Sequence, residues 1–124
     1  WINVLDNSGV LAISLPVQGS FPEWELAAAK ANVRFSAINL PSHQSIMQLT
    51  KKYHLHYQEV YKFSQEDNEV ISLLKSITKV GAKTSPQEQL KTGDLRKLIK
   101  AWPNYVTKGK VKLTWFVQTL IVEK

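Results

Sequence analysis

The chain has 124 residues, of which 44% are hydrophobic, and it carries sixteen basic and ten acidic side chains for a net charge of +6. This globular composition excludes a disordered, collagen-like or coiled-coil chain, and no apolar run reaches the roughly 18 residues of a membrane-spanning helix. There is no cysteine, which excludes disulfides, thiolate metal sites and cysteine nucleophiles.

The first strands are predicted at the start of the chain. The apolar residues 2–5 and 10–15 flank turn-forming residues at 6–9, which is typical of a hairpin. Residues 10–15 are almost continuously apolar, which predicts a strand covered on both faces.

A helix and a third strand follow. Ser20 lies three residues before Glu23, with Pro22 between them, and this spacing predicts a capping box and a helix that continues to about residue 31. Residues 33–40 form another apolar run, ended by Pro41, and predict a strand.

The middle of the chain repeats this alternation. Ser42 is predicted to cap a helix that precedes a strand at residues 55–63. That strand has two faces, one with Leu55, Tyr57, Tyr61 and Phe63, the other with His54, His56, Gln58 and Lys62.

Three helices and a long strand complete the prediction. Ser64 and Asp67 precede an apolar stripe that ends at Gly81, Ser85 starts a short helix, and residues 95–102 form another. Residues 111–122 predict the last strand, with Val111, Leu113, Trp115, Val117 and Ile121 toward the core and Lys110, Lys112, Thr114, Phe116 and Gln118 outward.

The order of these elements predicts the fold class. We expect a single compact α/β domain over residues 1–124. Because the sequence begins at Trp1 without a leader, we expect it to be excised from a longer chain or to be a processed product. Its mixed sheet has a parallel βαβαβ core, an N-terminal hairpin and a long C-terminal strand.

Few residues suggest catalysis or metal binding. The sequence contains no phosphate-binding loop, dinucleotide fingerprint or nucleophile elbow. His54 and His56 have a spacing that suits a metal, but Glu59 has the opposite strand parity. Asp6 and Asp67 could serve a small metal-dependent nuclease or hydrolase, but the preferred explanations are a turn residue for Asp6 and a helix-start acid for Asp67. No catalytic residue, metal or cofactor is therefore assigned.

The charge is concentrated in the C-terminal part. Residues 75–124 hold eleven bases and three acids, a net of +8, whereas residues 1–74 hold five bases and seven acids, a net of −2. Such asymmetry favours an anionic partner, which could be nucleic acid, an anionic membrane surface or an acidic protein. The predicted contact residues are Arg96, Lys97, Lys100, Lys110 and Lys112, with Phe116 to stack on an unpaired base.

These observations predict a non-enzymatic binding module that contacts nucleic acid without sequence specificity. No named nucleic-acid-binding motif is present. A protein–protein scaffold or assembly domain of a larger complex, which could add a strand at its sheet edge, is the alternative.

Overall fold

The computed structural model describes residues 1–79, 90–103 and 109–124. The predicted helix start at Ser85 and helix end at Gly81 lie outside these residues. The elements in chain order are a 3-10 helix (Ile2–Val4), β1 (Val10–Pro16), α1 (Pro22–Ala31), α2 (His43–Thr50), β2 (His54–Asp67), α3 (Val70–Lys79), α4 (Thr92–Ala101) and β3 (Val111–Glu123).

The three described strands form one small, open antiparallel sheet in the order β1-β3-β2. Val10 of β1 pairs with Glu123 of β3, and Pro16 pairs with Val117. The last strand is therefore central, and its two neighbours both run against it. The predicted mixed sheet with a parallel βαβαβ core is wrong.

The parallel core fails because residues 33–40 do not form a strand. Phe35 instead places its ring edge-on to Trp24 of α1, with the ring centroids 5.5 Å apart. The Val33 N–H donates to the Ala28 carbonyl at the end of the same helix. Phe35 therefore packs locally against α1, and residues 33–40 leave no strand for a crossover to join.

The N-terminal hairpin is also wrong. Ile2–Val4 forms a 3-10 helix, in which the Val4 N–H donates to the Trp1 carbonyl. β1 pairs with β3 rather than with the residues before it. Exposed and half-buried residues alternate along β1, so it has one solvated face and is not covered on both sides.

The described residues divide into two compact units. The first, called the sheet unit, comprises Trp1–Ser20, Leu40–Phe63 and Trp115–Lys124. The second, called the helical unit, comprises Phe21–Asn39 and Ser64–Thr114.

The core of the sheet unit lies between α2 and one face of the sheet. Leu11 pairs with Val122 and Ile13 with Leu120, so alternating residues of both strands point to the same side. The buried cluster is Val17, Ile46, Leu120 and Val122, with half-buried Ile2, Leu11, Ile13, Leu15, Tyr53 and Phe116 packed against it. Ser42 caps α2 as predicted, because its hydroxyl accepts the Ser45 N–H at 3.1 Å.

In the helical unit α1 packs against α4. The Trp102 indole at the end of α4 is buried and donates to the Lys112 carbonyl at 3.2 Å. On α3 the buried residues Val70, Leu73 and Ile77 follow the predicted stripe.

The predicted capping box at α1 is wrong. The N-cap is Phe21, which adopts a left-handed conformation with φ +68° and makes no side-chain cap. The Ser20 hydroxyl instead accepts the Phe116 N–H at 2.9 Å. The Glu23 carboxylate accepts the Thr114 N–H at 2.9 Å and the Thr114 hydroxyl at 2.6 Å. The side chains of Ser20 and Glu23 thus accept hydrogen bonds from β3 rather than capping α1.

The predicted faces of β3 hold only at its start. Val111 and Leu113 are buried as expected, but Thr114 is buried directly after Leu113, and thereafter Gln118, Leu120 and Val122 are the buried positions. Trp115 and Lys112 are both half-buried. The parity changes at Thr114, whose N–H binds Glu23, and strand alternation alone cannot reveal such a change.

Candidate interaction surface on strand β2

The odd-numbered side chains of β2 form an exposed, largely aromatic stripe. Leu55, Tyr57, Glu59, Tyr61 and Phe63 alternate with residues on the opposite face. None of the five is buried, and Phe63 retains 54% of its accessible surface. We call these five residues the aromatic stripe. Exposed aromatic residues placed side by side on a strand mark a surface suited to binding.

The centre of the aromatic stripe is a hydrogen-bonded cluster. The Tyr57 hydroxyl donates to the Glu59 carboxylate at 2.6 Å and also contacts the Tyr61 hydroxyl. The bond to Glu59 raises the pKa of Tyr57 above its ordinary value, because it favours the protonated phenol. The same bond lowers the pKa of Glu59, since it stabilises the ionised carboxylate. The stripe therefore carries a fixed negative charge at neutral pH.

An apolar groove lies at one end of the aromatic stripe. It has a volume of about 400 Å³. Its lining combines one side of α2 with the start of β2, namely Met47, Gln48, Thr50, Lys51, Tyr53 and Leu55. Leu55 belongs to both features, so the groove continues directly into the stripe.

The backbone of β2 is available on one side. β2 is an end strand of the sheet, so its other neighbour is absent among the strands that the structure describes. It extends for 14 residues, whereas strands in globular proteins have mostly about five or six. A long edge strand exposes a row of N–H and C=O groups that can pair with another chain.

The opposite face of β2 carries the two histidines. Their rings meet edge to face with centroids 4.6 Å apart, and His56 Nε2 lies 2.7 Å from the Glu123 carboxylate. Glu59 hydrogen-bonds Tyr57 on the other face. Within the described ranges no three histidine or carboxylate side chains are grouped to hold a metal ion.

The two aspartates considered for catalysis have local roles. Asp67 Oδ1 accepts the N–H groups of Asn68 and Glu69 at 2.7 and 3.2 Å, immediately before α3. Asp6 is exposed, and its carbonyl accepts the Gly9 N–H in a turn. Both positions match the structural explanation given by the sequence.

Three of the predicted contact bases lie together on α4. Arg96, Lys97 and Lys100 are all exposed, on a helix whose Leu98 is fully buried. Lys97 lies 3.6 Å from the Asp94 carboxylate one turn earlier. This exposed ion pair is weak and leaves the lysine accessible.

The other three predicted contact residues are placed differently. Lys110 is exposed and lies 4.0 Å from the Glu66 carboxylate. Lys112 is half-buried. Phe116 is half-buried in the sheet unit, where it packs against the core cluster. These three residues thus differ from the α4 bases in their surroundings.

A comparison with protein-family models gives no match, and neither does a comparison with curated proteins. No helix among the described residues is long and apolar enough to cross a membrane. Any inference about function therefore depends on the chain's own geometry.

The sequence indicated the aromatic side of β2 but not its exposure or the part played by Glu59. The parity that separates Glu59 from the histidines also places it between Tyr57 and Tyr61. That spacing was the available signal. The groove gave no such signal, because α2 and β2 contribute to it through tertiary packing.

Proposed function

We propose that this chain is a non-enzymatic binding module that takes an extended peptide segment of a partner protein along the edge of β2. The observation that supports it is the coincidence of a 14-residue edge strand with only one neighbour among the described strands, an exposed aromatic stripe and an adjoining apolar groove. In strand addition, backbone hydrogen bonds provide affinity, and pockets for alternate side chains provide specificity.

The geometry suits this mode of recognition. A peptide strand beside β2 directs every second side chain to the face of the aromatic stripe. At one end such side chains meet Leu55 and the groove, and at the other they meet Phe63. Apolar side chains at these positions would remove exposed aromatic and aliphatic surface from water, which favours binding.

The test uses a capped nine-residue peptide of alternating valine and threonine. We expect saturable binding, and slower hydrogen exchange at alternate amides of β2 when the peptide is present, since the edge N–H groups gain acceptors. Amides of α3 are the internal reference. Absence of binding, or binding that leaves β2 exchange unchanged, would contradict the proposal.

Leu55→Ser is expected to weaken binding of this peptide about fivefold, because the groove loses part of its apolar lining. Fluorescence anisotropy with a labelled peptide measures the effect. Leu49→Ser is the matched control, since Leu49 is 75% exposed and does not line the groove. Equal weakening by both variants would count against the groove.

A second candidate is the nucleic-acid contact predicted from the sequence. The observation in its favour is the joint exposure of Arg96, Lys97 and Lys100 on α4. Exposed bases neutralise phosphates and give affinity that depends on salt but not on sequence. An acidic protein is the other anionic partner that would suit these side chains.

Changing any one of these three bases to glutamine is expected to weaken binding to single-stranded DNA and RNA of unrelated sequences alike. Each lost phosphate contact lowers the slope of log affinity against log salt by about 0.7. Lys51→Gln, an exposed change elsewhere, is the control. A triple variant that binds both nucleic acids as tightly as the native chain would reject this candidate.

A further inference from the structure

The aromatic stripe contains one charged residue, and it lies at the centre. Glu59 is flanked by Tyr57 and Tyr61, and beyond them by Leu55 and Phe63. All five positions lie on one face of one strand. A partner strand that lies beside β2 therefore faces an acidic position at its centre and aromatic or aliphatic positions on either side of it.

The carboxylate of Glu59 is prepared to meet a cation. It is exposed, so an incoming charge can reach it. The hydrogen bond from the Tyr57 hydroxyl orients the Glu59 carboxylate. The Tyr57 and Tyr61 hydroxyls contact each other, so both phenol groups lie near this carboxylate. Cations are attracted to tyrosine rings as well as to carboxylates. An apolar group opposite Glu59 would instead remove water from an ionised group without replacing its hydrogen bonds.

We infer that the segment bound along β2 carries a lysine or arginine opposite Glu59, with apolar side chains two residues before and after it. This inference rests on the proposed function and specifies the chemistry of the partner. Positions two residues away from the cation would lie over Tyr57 and Tyr61, and positions four residues away would lie near Leu55 and Phe63. The partner motif is thus an extended strand with a central base among alternate apolar residues.

The overall positive charge of the chain opposes the preference that this inference predicts. With a net charge of +6, nonspecific electrostatics favour an acidic peptide over a basic one. A preference for a central lysine would therefore oppose the overall field and would have to arise from a local contact.

The experiment replaces the central valine of the nine-residue peptide with lysine or with glutamate. We expect the native chain to bind the lysine peptide about fivefold more tightly than the glutamate peptide, a ratio typical of cross-strand charge pairs at a surface. In Glu59→Gln the preference should fall to within about 1.5-fold. Glu66→Gln removes the same charge from an even position of the same strand and should keep the preference.

The outcomes separate this inference from the proposed function. If the valine peptide binds along β2 but the lysine and glutamate peptides bind equally, the inference is wrong and strand addition stands. If no peptide binds and sedimentation velocity shows a dimer that Tyr61→Lys dissociates, a second copy occupies the edge and both are wrong. If Glu66→Gln loses the preference for the lysine peptide as Glu59→Gln does, the preference arises from net charge and the inference is wrong.

Discussion

Replacing Phe21 with alanine is expected to lower the free energy of unfolding by about 3–5 kcal/mol. The side chain is 1% exposed and its ring lies 6.1 Å from that of Trp24. Its N–H also donates to the Thr114 carbonyl at 2.7 Å. Alanine keeps this backbone bond but leaves a cavity in the helical unit, and chemical denaturation measures the loss.

The backbone conformation of Phe21 allows a comparison between glycine and alanine at this position. Because its φ is +68°, a side chain at this position carries a conformational cost that glycine does not. We expect Phe21→Gly to be about 1 kcal/mol less destabilising than Phe21→Ala, the reverse of the order in helix interiors. Phe63→Ala, at a half-exposed position, should cost less than about 1 kcal/mol. Equal losses for Phe21→Ala and Phe63→Ala would refute the buried role of Phe21.

Glu23→Ala is expected to lower the free energy of unfolding by about 3 kcal/mol. The carboxylate is 3% exposed and accepts both the N–H and the hydroxyl of Thr114. Alanine leaves two buried donors without this acceptor, and hydrogen bonds to charged groups are each worth about 1.5–3 kcal/mol.

The matched control for this prediction is Glu25→Ala. Glu25 occupies the same first turn of α1 but is exposed, so both variants lose a favourable charge near the helix N-terminus. We expect Glu25→Ala to cost less than about 1 kcal/mol. A similar loss in the two variants would mean that the Glu23–Thr114 bonds contribute little to stability.

The elements that the sequence predicted well are those with local signals. The stripe of α3 follows helical spacing, and the Ser42 cap satisfies a backbone donor three residues away. Pro16 ends β1 where the apolar run stops. Each of these features depends on residues that are close in sequence, so the local amino-acid sequence is sufficient to predict it.

The pairing of the strands could not be predicted in this way. Residues 33–40 had the composition of a strand but do not form one, and Phe35 packs on Trp24 instead. β1 pairs with a strand more than a hundred residues later, and no local pattern specifies such a partner. The apparent capping box at Ser20 and Glu23 failed for the same reason, because both side chains bind β3.

The candidate interaction surface was predictable only in part. Alternation placed Tyr57 and Tyr61 on one face of a strand, and the structure agrees. Whether that face is covered depends on where α2 packs, and the alternation of side chains along β2 does not specify the position of α2. The same limit applies to Phe116, whose outward assignment followed strand parity but which packs against the core cluster.

The central place of β3 determines when the sheet can form during synthesis. β1 and β2 each pair with β3, yet the ribosome completes both before it begins Val111. The nascent chain therefore contains the residues of both strands, one of them rich in aromatic side chains, before their shared neighbour emerges. Pairing across such long sequence separations is slow, and exposed strands are prone to aggregate meanwhile. Chaperone demand should therefore peak before the last strand has left the exit tunnel.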